Sequence, residues 1–136
     1  MSAEPLITAA TQARERAYAP YSGFRVGAAL QTADGQVFTG VNVENASYGL
    51  GVCAERNAVA AAVAAGMQPG DLAAIAVSAD APTPTSPCGA CRQVLAEFAD
   101  EGMKVLLHNT RDGRTLELDF HTLLPHAFDA RSLESK

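Results

Sequence analysis

The chain's three cysteines fall in two short pieces, GVCAERN at 51–57 and SPCGACRQ at 86–93. An odd number cannot all pair within one chain. The spacing C-x-x-C lets Cys88 and Cys91 present two sulfurs to one ion, and Cys53 can supply a third from elsewhere. Zinc suits this soft donor set, and three protein ligands leave a fourth position open for water, the mark of a catalytic rather than a structural site. Glu55 follows Cys53 by two residues, so it can enter the same pocket without coordinating. A carboxylate beside an activated water can take its proton and deliver it elsewhere. Three plainer readings compete. The cysteines could be small core residues, Cys88 and Cys91 could be a thioredoxin-type redox pair, or the ion could be structural. Clustering argues against the first, the pairing of Cys53 with Glu55 against the second, and the lack of a nearby fourth ligand against the third. His108, His121 and His126 have no ligand spacing to the cysteines and read as structural or solvent-facing.

These residues must be held by a framework that the pattern also describes. Leu6, Ala10, Ala13 and Ala17 predict an amphipathic helix over 4–18, stopped before Pro20 and Gly23. FRVGAALQT and QVFTGVNVE read as two strands joined by a tight turn at Asp34-Gly35. AERNAVAAAVAA at 54–65 is strongly helix-favouring, with Gly66 as a left-handed cap. AAIAVSA at 73–79 is a buried strand. After the proline-dotted loop DAPTPTSP, a second helix is expected from Cys88 to near Gly102. MKVLLHN then forms a strand, and the short turn TRDGR can return TLELDF only as an antiparallel neighbour. The order predicts one domain over 1–136, an α/β fold with a mixed five-stranded sheet.

This order explains how distant cysteines can meet. A helix of about twelve residues travels roughly 18 Å, and a strand of about seven residues travels about 23 Å back. Cys53 begins the first helix of this pair, whereas Cys88 and Cys91 begin the next, so both helix N-termini can converge at one sheet edge. Unpaired N–H groups and the positive end of the helix dipole there favour thiolate over thiol.

C-A-E followed by P-C-G-A-C matches the zinc deaminase signature in its three-cysteine form. With AYAPYSGFRVGAAL, TGVNVENASYGLGVCAERNA, SPCGACRQVLAEF and LLPHAF, the chain resembles the small, three-cysteine cytidine deaminases over nearly its whole length. The metal motif alone indicates the deaminase superfamily; NVENASY narrows the resemblance to nucleosides. It implies a three-layer α-β-α fold, one Zn²⁺ per subunit, a homotetramer, and hydrolysis of cytidine and deoxycytidine to uridine and deoxyuridine in pyrimidine salvage. It further implies Cys53, Cys88 and Cys91 as ligands and Glu55 as the proton carrier. Asn42 and Glu44 would hold the ribose hydroxyls, and Phe24 would pack on the base. The backbone around Ala54 and Ser86 would meet the base edge, and Arg56 would hydrogen-bond the ligand sulfurs. Ala46, Tyr48 and Phe128 would reach the pocket across subunit boundaries. Composition alone would instead make Tyr48 and Phe128 core aromatics. Asn42 and Glu44, two apart on an extended segment, would point the same way and offer both donor and acceptor groups to a diol.

Composition sets bounds on partners. A net charge of −5 disfavours binding to a polyanion. No window holds eighteen consecutive apolar residues, and MSAEPLITAA lacks the basic start of a secretory signal, so a cytoplasmic protein without a membrane segment is expected. In that reducing setting, disulfides are disfavoured. Two rivals stay open: a deaminase of a cytosine-containing antibiotic, which Glu44 opposes, and a noncatalytic zinc- or nucleic-acid-binding module, which the charge and Glu55 oppose. The polar tail DARSLESK is expected to fray.

Overall fold

A computed structural model describes residues 3–133; the last three residues of the tail DARSLESK lie outside that range. The element order is α1 (Ala3–Arg14), β1 (Val26–Thr32), β2 (Val37–Val41), α2 (Ala54–Ala64), β3 (Leu72–Ala79), α3 (Gly89–Phe98), β4 (Ala99–Asn109) and β5 (Thr115–Asp119). The strands form one sheet in the order β2-β1-β3-β4-β5. Among the described strands, only β3 and β4 pair in parallel, joined through α3 as a crossover requires. All other pairs, including the final β4–β5 hairpin, are antiparallel. The predicted mixed sheet and antiparallel last strand are both present.

Strand alternation divides the core into two layers. Leu30, Ile75, Val77, Val105 and Leu107 face α2 and α3, together with Ala58, Ala62 and Leu95. Ala29, Ala74, Ala76 and Leu106 face α1, against Leu6, Ile7 and Ala10. Helices thus cover both faces of the sheet, giving the three-layer arrangement. The Asp34-Gly35 turn is formed with Gly35 at φ +88°, and Gly66 caps α2 at φ +109°.

β1 and β2 are shorter than FRVGAALQT and QVFTGVNVE, spanning Val26–Thr32 and Val37–Val41, and two helix ends differ from the sequence reading by several residues. The first helix ends at Arg14 instead of continuing to residue 18, because Tyr18 pairs with the chain beyond β2: its N–H donates to Asn42 O at 3.0 Å and its carbonyl accepts from Glu44 N–H at 2.9 Å. Tertiary pairing overrides an Ala-rich helical pattern here. Likewise α3 stops at Phe98, since Gly70 N–H takes the Phe98 carbonyl at 3.0 Å and Ala99 pairs with Leu72. The strand therefore begins at Ala99, with an irregularity before the regular pairing from Lys104.

Gly40 fixes how closely α2 approaches the sheet. A Cβ at this position would lie 2.3 Å from Ala58 N and 2.4 Å from Ala54 O. Both are helix backbone atoms, so no side-chain rotation relieves the clash. Nearby, Asn57 Nδ2 donates to Val41 O at 2.8 Å, tying the same helix to the same strand. Gly40→Ala is therefore expected to destabilise the fold by about 1–3 kcal/mol, read as a lower urea midpoint. An unchanged midpoint would show that α2 is not held by this close approach.

Candidate active site

Cys53 and Cys88 are the N-cap residues of α2 and α3, both with extended backbone, and Cys91 lies in the first turn of α3. The two helix starts meet. Cys53 Sγ is 3.9 Å from Cys88 Sγ, Cys88 Sγ is 3.5 Å from Cys91 Sγ, and all three sulfurs lie within 4.8 Å of one another. Tetrahedral zinc–sulfur bonds of about 2.3 Å place ligand sulfurs about 3.8 Å apart. The cluster fits a zinc ion.

Burial is graded across the cluster: Cys91 is buried, Cys53 half-buried and Cys88 exposed. Burial pushes the Cys91 thiol well up, with the Glu55 carboxylate adding to the effect. The Cys91 backbone N–H instead holds the Cys88 thiol down, as expected at a helix start. Ionising all three therefore needs positive charge beside them. Arg56 provides some: its Nη2 donates to Cys53 Sγ at 3.6 Å, and its Nε is buried with no hydrogen-bond partner among the described residues. Three thiolates exceed the charge of Zn²⁺ by one, so a guanidinium here offsets the remainder.

Glu55 occupies the second position of α2 and is only 5% exposed. Burial raises its carboxyl above the ordinary value, while its own backbone N–H and Arg56 partly oppose the rise. A buried carboxyl with a raised pKa beside a metal-ligand cluster is suited to accepting and returning a proton.

The segment after β2 lies beside a second group. Asn42 Oδ1 accepts from Val26 N–H at 2.8 Å and its Nδ2 donates to Phe24 O at 2.8 Å, so one amide braces the start of β1. Glu44 Oε1 accepts from Tyr21 and Ser22 N–H groups at 2.9 and 3.1 Å, and Oε2 accepts from the Ser22 hydroxyl. Both side chains reach toward residues 21–26. Each keeps unused hydrogen-bonding capacity. The Ser22 hydroxyl and these N–H groups hold the Glu44 carboxyl below its ordinary value, burial opposing them. A cleft of about 360 Å³ opens at Tyr21, Ser22, Glu44, Asn45, Tyr48 and Gly51.

The remaining positions are distributed as follows. Ala54 is fully buried at the start of α2, and Phe24 and Ala46 are exposed. Ser86 is half-buried, with its hydroxyl bonded to Arg92 Nη2 at 2.9 Å. Tyr48 and Phe128 are 80% and 59% exposed, so composition misled in suggesting core aromatics. Tyr48 packs at a tilt on Tyr21, ring centres 6.0 Å apart. The histidines stand apart from the sulfurs: His108 Nδ1 bonds Thr115 Oγ1, His121 Nε2 bonds Asp100 O, and His126 is exposed at φ +55°.

Ser22, Arg92 and Gln93 escaped the sequence reading although they organise the surroundings of the site. Ser22 carries no signal, because its role depends on a partner 22 residues away. Arg92 and Gln93 follow the candidate ligand Cys91 directly, but their partners Leu123 and Phe128 lie 31 and 35 residues away, so no short window shows their role either.

The family profile for the cytidine and deoxycytidylate deaminase zinc-binding region matches residues 1–107. A cytidine deaminase of Halalkalibacterium halodurans is 51% identical over 133 residues, covering 98% of both chains. A probable cytidine deaminase of Dictyostelium discoideum is 43% identical, covering 98% of this chain and 88% of its own. The crystal structure of cytidine deaminase from Burkholderia pseudomallei superposes with a TM-score of 0.89 at 55% identity, covering 94% of this chain and all of that one. That from Mycobacterium tuberculosis gives 0.80 at 41% identity, covering 94% and 98%.

Proposed function

The chain belongs to the cytidine and deoxycytidylate deaminase family, it is a zinc-dependent enzyme of cytidine deamination, and from that premise we propose how its own residues divide the work. The reaction replaces the C4 amino group of cytidine or deoxycytidine with oxygen from water, giving uridine or deoxyuridine and ammonia. The observation that supports this division is the juxtaposition of buried Glu55 with the three-sulfur cluster, at two helix N-termini.

In this reading Cys53, Cys88 and Cys91 hold zinc, which when bound supplies the Lewis acidity that lets water become a nucleophile near neutral pH. Glu55 takes one proton from the attacking water and passes it to N3 of the pyrimidine; it then takes the second proton from the oxygen now bonded to C4 and delivers it to the amine, which leaves as ammonia as the C4–O double bond forms. Arg56 donates to the thiolates and offsets their excess charge. Asn42 and Glu44 receive the sugar hydroxyls, Phe24 packs on the base, and the backbone at Ala54 and Ser86 meets the base edge.

Glu44 yields a binding prediction with a definite sign. Its carboxyl is held below the ordinary value, so the charged acceptor is present at neutral pH and is lost only as pH falls through that lowered value. The ratio of uridine Kd between Glu44→Gln and wild type should therefore stay flat from about pH 7 down to about pH 5, above the ordinary carboxylate range, because any titration of Glu55 is common to both proteins. At pH 7, Glu44→Gln should raise that Kd by about 10- to 100-fold, the effect of losing a charged hydrogen bond. Loss of that ratio with a midpoint near pH 6 would refute this role.

The exposed aromatics support a homotetramer in which Ala46, Tyr48 and Phe128 reach a neighbouring pocket. Side chains as large as Tyr48 and Phe128, exposed beside the candidate site, are of the kind that interfaces bury. Light scattering should give four times the 14.1 kDa chain mass; a monomer that is fully active would exclude shared pockets. No helix among the described residues is long and apolar enough to cross a membrane. Three unpaired thiols suit a reducing compartment such as the cytoplasm.

Ultraviolet absorbance of the protein with cytidine, deoxycytidine, deoxycytidylate and a cytosine-bearing oligonucleotide tests the substrate class. Turnover of the two nucleosides alone is expected. Preference for the nucleotide or the oligonucleotide would overturn it.

A further inference from the structure

Directly after the last sulfur of the cluster come two side chains that the deamination chemistry does not use. Arg92 spreads one guanidinium over three acceptors in two separate segments. Its Nε donates to Pro87 O at 2.8 Å, Nη2 to Ser86 Oγ at 2.9 Å, and Nη1 to Leu123 O at 2.8 Å. Gln93, the next residue, donates from Nε2 to Phe128 O at 2.9 Å. The first two Arg92 bonds fix the loop entering Cys88. The third, with the Gln93 bond, fixes both ends of the segment from Leu123 to Phe128.

Leu123 and Leu124 pack against the main core, but Pro125 to Phe128 make no backbone–backbone hydrogen bond among the described residues. Among the described residues no α-helix or strand follows β5, and Pro125, His126 and Phe128 are exposed. His126 sits in the left-handed region at φ +55°, uncommon for a non-glycine residue although histidine adopts it more readily than most. On either side of it, two carbonyls five residues apart are held by adjacent residues of α3. A planar guanidinium with donors on three sides can join three segments at fixed angles, whereas a lysine ammonium on the same stem cannot match that fork.

We propose that Arg92 and Gln93 form a clamp that positions the Ser86 loop and the Phe128 segment relative to the three-cysteine helix, making both of them positioning residues for nucleoside binding. The inference rests on the proposed function, through the roles of Ser86 and Phe128. The clamp acts on groups that contact substrate before and during reaction alike. Its loss should therefore raise KM more than it lowers kcat.

The test uses Arg92→Ala, Arg92→Lys and Gln93→Ala in the zinc-loaded full chain. For both Arg92 variants, zinc content should stay at one per chain, KM for cytidine should rise at least about tenfold, and kcat should change less than about threefold. The Kd of uridine should rise in step with KM, and backbone amide exchange over residues 123–129 should accelerate. Lysine should fail to restore the wild-type values. Gln93 is exposed, so its truncation keeps the fold testable even if Arg92→Ala does not fold; it should accelerate exchange at Phe128 and Asp129 and raise KM by at least about threefold. Unchanged KM, uridine affinity and exchange in the folded variants would overturn the clamp, as would full rescue by lysine. An inactive wild-type protein would instead refute the proposed function, while amide exchange would still report on the clamp.

Discussion

Replacing Glu55 with glutamine should leave zinc bound at one per chain and lower kcat for cytidine by at least about 10³-fold, a loss of about 4 kcal/mol of transition-state stabilisation. Glutamine matches the size and most of the hydrogen bonding of the carboxylate, so the buried position at the start of α2 is filled without a cavity. What it cannot do is accept a proton. The proposed chemistry asks this one group for a proton transfer to N3 and another to the leaving amine, so both steps fail together. Because the ligand sulfurs are separate from this side chain, metal content should not follow activity. Plasma emission for zinc and a nucleoside assay on the same sample make the check. A variant that keeps more than about a tenth of wild-type turnover would remove Glu55 from the mechanism, since one well-placed acid-base group is worth about 10²–10⁴.

Cys91→Ser should abolish both metal and turnover. Cys91 is fully buried, and its sulfur completes the three-sulfur set from the first turn of α3. A serine hydroxyl ionises far less readily than a thiol and is a harder donor, so two sulfurs remain where zinc needs at least three protein ligands. Zinc content should fall well below one per chain, and added zinc should no longer raise Tm, since ligand that does not bind cannot stabilise. Arg56→Ala makes the instructive contrast. It removes no ligand but leaves the excess thiolate charge unopposed, so zinc should bind and be lost faster to a chelator. Full zinc occupancy in Cys91→Ser would contradict the ligand set, and unchanged chelation kinetics in Arg56→Ala would contradict the role given to the guanidinium.

Much of this architecture is legible in the sequence because the deciding signals are local. Asp34-Gly35 specifies a hairpin turn, TRDGR leaves room only for an antiparallel return, and the helix–strand lengths carry Cys53 back toward Cys88 and Cys91. Gly66 marks the end of α2 in the sequence, but the ends of α1 and α3 are not legible there. Arg14 and Phe98 end helices because Tyr18, Gly70 and Ala99 pair with distant backbone, and no short window contains those partners. The site divides in the same way. C-x-E and C-x-x-C carry their chemistry in the spacing itself. The bracing of Glu44 by Ser22, the exposure of Tyr48 and Phe128, and the reach of Arg92 to Leu123 exist only once the chain is folded.

The central claim is that a three-cysteine zinc centre and Glu55 together remove the C4 amine of cytidine by hydrolysis. Ammonia and uridine, measured in parallel on purified protein given cytidine, test it most directly. Equal amounts of both should appear, stop when a strong chelator strips the zinc, and resume when zinc alone is returned. Production that continues at full rate in metal-free protein, or loss of cytidine without matching ammonia and uridine, would contradict it.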